Sequence, residues 1–180
     1  MTEAVAHYNR VARILHWTIG ILIIANIIGG IAHDPLGKLF PVMPIHKSIG
    51  FVVLALSLVR LAWRLTHPAP PLPASLPGWE KAAAQATHWS FYALMIVMPM
   101  SGWIFSSAGT YPLTFFGLFD IPKLAVDKGS ALAGGAHEAH EILGFVWAGL
   151  LVIHIGAALR HHYILKDNVL TRMWRSAPDA

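Results

Sequence analysis

The chain has 180 residues, of which 56% are hydrophobic and 12% charged, with a formal net charge of +4. A charged fraction that far below the roughly one quarter of ordinary soluble domains excludes a water-soluble globule and points to a membrane protein. No cysteine is present, which excludes disulfides, thiolate-bound zinc, iron–sulfur clusters and a C-x-x-C-H haem attachment; the eleven histidines are the compositional anomaly.

An apolar run of about 20 residues crosses a bilayer as a helix. Four such spans are expected, at about 9–32, 45–66, 82–108 and 135–163. The first holds an uncharged core from Ile14 to Ala32, and the second an apolar stretch from Ile45 to Trp63. In the third, from Ala86 to Ala108, Pro99 is expected to kink the helix, because proline lacks the helical N–H. Three loops separate the spans. The second, "HPAPPLPASLPGW", is proline-rich and expected to be stiff and extended. The third, residues 106–135, is the longest, and a short amphipathic helix at the surface is expected there. No repeat or second domain is evident. The expected fold is an all-α membrane protein, a four-transmembrane-helix bundle forming a single domain over residues 1–180.

Basic residues set the direction of insertion. Arg10, Arg13, Arg60, Arg64, Lys81, Arg160, Lys166, Arg172 and Arg175 fall on one side, against Lys38, Lys47, Lys123 and Lys128 on the other. Both termini are therefore expected in the cytoplasm. The positive charge is a topology signal, and no nucleic-acid partner is implied. The first span is long, holds a histidine and lacks a clear small-x-small cleavage site, so it reads as a retained span and not a signal peptide.

Depth sorts the histidines into layers. His16, His88 and His154 fall in an inner, cytoplasmic layer, and His46, His137 and His140 in an outer one. Span four contributes to both. Fourteen residues turn a helix to about 40° short of four full turns and advance it roughly 21 Å. His140 and His154 therefore share a face, whereas His137 is displaced from His154 by about 100°. Imidazoles at two levels, without cysteine or a carboxylate cluster, suit haem, whose iron takes one axial ligand from each side. Two haems need four histidines: His16 with His154 inside, and His46 with His140 outside. A zinc or di-iron centre needs carboxylates, and Glu138 and Glu141 lie only at the outer mouth.

Glycine follows three of these histidines by four residues, one helical turn on. His16 leads to Gly20 in "HWTIG", His46 to Gly50 in "HKSIG" and His140 to Gly144 in "HEILG". A flat macrocycle against a helix wants no bulk at that place. Arg64 reads as a snorkelling, topology-setting residue; Arg60 lies a turn deeper and is a candidate partner for a haem propionate, with snorkelling as its alternative, and Lys47 is a candidate for the outer haem. His88 has three readings: a proton carrier at a quinone site, an alternative axial ligand, or a helix–helix hydrogen bond. Met95, Met98 and Met100 read as packing. The tryptophans read as interfacial belts or haem-pocket walls, and His161 and His162 as headgroup-level residues.

The segments "RILHW", "IHKSIG", "VRLAWRLTHPAPPLP" and "HEILGFVWAGLLVIHIGAALRHHYILKDNVLTRM" resemble the bacterial cytochrome b561 family over nearly the whole chain. The resemblance implies two non-covalent b haems with bis-histidine ligation, in a multi-pass protein of the bacterial inner membrane. It implies electron transfer between membrane quinone and a donor or acceptor at the outer face.

 Some members of that family act as superoxide oxidases that reduce ubiquinone, so ubiquinone is the expected quinone. The donor is a small outer-face molecule or a protein, and lipid is the surrounding partner. The b subunits of respiratory hydrogenases and dehydrogenases share the same helix logic, so an electron-carrying subunit is the alternative. Outside redox chemistry, a metal or proton transporter with membrane histidines is the remaining class. Lys38, Lys47, Lys123 and Lys128 would steer an anion such as superoxide, or are simply solvated loop residues.

Overall fold

The computed structural model describes residues 7–74 and 76–174; Arg175, counted above among the cations of one side, lies outside them. The chain is mostly helical. Its long helices are α1 (Arg10–Ile31), α3 (Val42–Thr66), α4 (Gly78–Ser107) and α5 (Ala131–Arg160), with a short α2 (His33–Gly37) after the first. All four long helices have the length and apolarity to cross a membrane. At 1.5 Å per residue the 22 residues of α1 reach about 33 Å, enough for a hydrocarbon core of about 30 Å. Large apolar side chains such as Ile21, Ile28, Val152 and Ile153 point outward, as lipid contact requires.

Local chemistry starts and stops these helices. Asn9 caps α1, its Oδ1 accepting from Ala12 N at 2.8 Å, and Ser130 caps α5 by accepting from Ala133 N at 3.2 Å. The proline-rich segment before α4 is without helix or strand, and α4 begins after Pro77. Pro99 lies inside α4, which continues through it to Ser107. Beyond α5 the chain winds into one π-helical stretch, His161–Leu165, and ends its described part in α6 (Thr171–Trp174).

The long third loop corrects the sequence reading. In place of an amphipathic helix it forms a hairpin of β1 (Thr114–Phe115) and β2 (Phe119–Asp120), paired antiparallel. The cause is local. Pro112 and Pro122 bracket the segment, Thr114, Phe115 and Phe119 favour extended backbone, and Phe116 and Gly117 both take positive φ in the turn. The hairpin docks on α3 through Ser48, which is fully buried. Ser48 Oγ accepts from Phe116 N at 2.9 Å and lies within donating distance of Pro44 O (2.9 Å) and Thr114 O (3.2 Å).

At the opposite end, His161 anchors the chain beyond α5. It is nearly buried, its Nδ1 meets Asp167 Oδ2 at 2.5 Å, and its Nε2 lies 3.9 Å from Glu80 Oε2 on α4. Trp17 Nε1 donates to Met173 O at 2.9 Å, tying the last described residues back to α1.

Backbones pack in sequence: α1 on α3, α3 on α4, and α4 on α5. Among the described residues α5 makes no comparable backbone approach to α1 or α3. The bundle is therefore open along one seam, and the functional side chains lie in it. Ser48→Ala would leave the Phe116 N–H without its acceptor, a loss of about 1–3 kcal/mol. The expected result is a lower unfolding temperature in detergent by thermal scanning, and an unchanged one would show that the hairpin is not clamped through Ser48.

Candidate functional site

The outer layer is built across the open seam. His46 on α3 and His140 on α5 have ring centroids 6.1 Å apart with planes at 79°. Each ring is held by a backbone carbonyl. His46 Nδ1 lies 3.0 Å from Asn26 O, and His140 Nδ1 lies 3.0 Å from both Met98 O and Ser101 Oγ. A carbonyl can only accept, so the proton sits on Nδ1 and Nε2 keeps its lone pair for a metal.

A cavity of about 490 Å³ surrounds this pair, within the usual range of about 300–1,000 Å³ for cofactor pockets. Every long helix contributes a glycine to its wall: Gly30, Gly50, Gly102 and Gly144. Gly50 and Gly144 are the sequence-predicted pair, and a Cβ on either would make only ordinary contacts. Gly30 and Gly102 were missed, and they are the tighter positions. A Cβ at Gly102 would stand 3.0 Å from His140 Cε1, and one at Gly30 would stand 3.1 Å from His46 Cε1. The signal was present as glycines within apolar spans, but each lies opposite a histidine on another helix, a relation that one-turn spacing cannot reveal.

The inner layer brings three imidazoles together. His16 on α1 and His154 on α5 have centroids 6.2 Å apart, and His88 on α4 lies 5.8 Å from His154. Arg60 enters from α3, its Nη2 3.3 Å from His16 Nδ1 and its guanidinium 5.9 Å from the centre of the Tyr92 ring. Arg60 thus reaches the inner group of imidazoles. A Cβ at Gly20 would meet nothing within 4 Å, so space there is open.

Other candidates lie at the edges. His137 pairs with Glu141 at 3.8 Å and packs on Phe105, at the cavity mouth with Lys47 and His33. Lys123 Nζ donates to Gly109 O. Met95 and Met98 are buried in the core. Among the described residues no group of three or more His, Cys, Asp or Glu is arranged to hold a metal ion.

These residues fit haem. A metal–imidazole bond of about 2.0 Å on each side, plus the distance from nitrogen to ring centre, separates two axial ring centroids by about 6 Å. Both cross-seam pairs have that separation. The walls are apolar and notched by glycine, and the outer Nδ1 protons are already committed.

The fold and site define a multi-pass membrane protein with stacked imidazole layers. Comparison with known sequences gives its family. Residues 7–176 match the model for prokaryotic cytochrome b561, and the chain belongs to that family. It is 33% identical over 177 residues to "Cytochrome b561 homolog 2" of Escherichia coli (strain K12), covering 96% of this chain and 93% of the relative. It is 33% identical over 129 residues to the "Probable superoxide oxidase CybB" of Yersinia pestis, covering 72% of each. A "Cytochrome b562" of Cereibacter sphaeroides is 31% identical over 180 residues. Membership makes the chain a membrane cytochrome and implies haem b.

Gly102→Ala presses on the His140 ring, because the added methyl would stand 3.0 Å from its Cε1 and 3.3 Å from its Nδ1. The expected result is a lower haem content per chain, or a changed visible spectrum of the reduced protein. Gly149→Ala, where a Cβ meets nothing within 4 Å, is the matched control and leaves both unchanged.

Proposed function

We propose that this single-domain chain holds two b haems and passes electrons across the bacterial inner membrane, between an outer-face donor and membrane quinone. The observation that carries this is the repetition of one geometry at two levels: His46–His140 at 6.1 Å and His16–His154 at 6.2 Å, both across the unpacked seam. Both termini face the cytoplasm in this reading, from the distribution of basic residues.

His88 competes with His16 by distance alone. The open seam favours His16. α4 and α5 pack closely along their backbones, which argues against a macrocycle between His88 and His154. α1 and α5 are not so packed, so His16 is the assigned partner. His88 is then a neighbour of the inner layer, placed to pass a proton. Arg60 supplies a fixed positive charge beside His16, suited to a propionate. Bound haem supplies reversible one-electron storage at each level. The protein orients each iron through imidazole, fixes the outer tautomers and excludes water with apolar walls.

Superoxide is the small donor favoured here. It is an anion, Lys47 lines the outer cavity mouth, and a relative carries the name of a probable superoxide oxidase. Two superoxide anions give up one electron each and leave as dioxygen. Ubiquinone, taken to bind near the inner layer, gains those two electrons and two cytoplasmic protons to become quinol.

Single substitutions test the scheme. His16→Ala or His154→Ala should remove the inner haem, and His46→Ala or His140→Ala the outer one, each halving the pyridine-haemochrome yield per chain. His137→Ala and His88→Ala should keep both. His46→Ala should also abolish superoxide-driven ubiquinone reduction. Loss of a haem from His88→Ala with retention in His16→Ala would overturn the inner pairing, and a His46→Ala protein that oxidises superoxide at the normal rate would overturn the direction of flow.

A further inference from the structure

The slab between the two histidine layers is closed by one large side chain. Trp147 lies seven residues from His140 and seven from His154. Seven residues turn a helix to about 20° short of two full turns and advance it about 10 Å. Trp147 therefore shares the ligand face of α5 and stands midway between the layers. It is 5% exposed.

Its neighbours come from the same level of every other span. The core cluster around it is Ile19 and Ile23 of α1, Val53 of α3, and Leu94, Met95 and Met98 of α4. Each lies in sequence between an inner and an outer site residue of its own helix. Trp147 also lines the wall of the outer cavity.

Packing alone does not account for an indole here. Its Nε1 is buried without a hydrogen-bond partner among the described residues. Buried indole N–H groups ordinarily find an acceptor, and leaving one unpaired is destabilising. Leucine or methionine would fill an apolar slab without that penalty. The retained feature is the wide π-system between the layers.

We propose that Trp147 is the bridging residue for electron transfer between the two haem layers. The proposal rests on the two-haem reading above. One electron leaves the ferrous outer haem and arrives at the ferric inner haem. The outer iron is oxidised by one and the inner reduced by one. No bond forms or breaks, the indole is not itself oxidised, and no proton leaves Nε1. Trp147 would place one buried aromatic ring midway between the layers, where its neighbours are otherwise aliphatic side chains and methionines. It is a positioning residue for this transfer, because it ligates neither iron.

The test uses the full-length protein in detergent, with haem content and both haem potentials measured for each variant. A pulse-radiolytic injection of less than one electron per protein is followed optically as it redistributes between the haems. Trp147→Met is expected to keep two haems and unshifted potentials while slowing redistribution severalfold. Trp147→Phe, which keeps a ring but lacks the N–H, is expected to recover part of the rate. A Trp147→Met protein with two haems, unshifted potentials and the wild-type rate would overturn the bridge and leave the two-haem reading standing. If Trp147→Met holds fewer than two haems, Trp147→Phe decides: slower than wild type supports the bridge, and an equal rate overturns it. A wild-type protein with fewer than two haems would overturn both.

Discussion

The structure depends on α5 standing apart from α1 and α3 while presenting histidines to both. His140 faces His46 and His154 faces His16 across a seam that the backbones do not close. A four-helix bundle left open in this way would ordinarily collapse to bury more surface. Here the gap is bounded by contacts at the ends. The Ser48–hairpin clamp holds the outer end, and the Glu80–His161–Asp167 group ties α5 to α4 at the inner end.

Within the seam, the two levels differ in how they are prepared. The outer imidazoles are held by carbonyls of Asn26 and Met98 and lie close to the backbone at Gly30 and Gly102, where a side chain would crowd them, which suits rigid ligation. The inner level is richer in charge and proton-carrying groups, with Arg60 beside His16 and His88 beside His154. That asymmetry suits electron entry on one side and proton-coupled reduction on the other. Trp147 occupies the apolar slab that separates them.

The four helices were legible because a continuous apolar run of bilayer length has few alternatives. The depth and face of His140 and His154 were legible because helical geometry is regular over fourteen residues. The hairpin was not, since residues 114–120 are too short for periodicity to speak, and the Pro112–Gly117–Pro122 punctuation was passed over. Gly30 and Gly102 were missed because their role exists only between helices. The +4 glycine pattern found the cavity wall at Gly50 and Gly144, but Gly20 falls where the space is simply open. The position of Trp147 could have been read from its equal spacing to the two histidines, and was instead absorbed into a general reading of tryptophans as belts or walls.

The central claim is that two irons would each be held by one histidine of α5 and one of a facing helix, His140 with His46 and His154 with His16. Near-infrared magnetic circular dichroism of the oxidised protein, calibrated by haem per chain, reads the axial ligands directly. Two low-spin haems per chain, both with bis-imidazole charge-transfer bands, are the predicted result. A single haem, or a methionine–histidine band from Met95 or Met98, would contradict it.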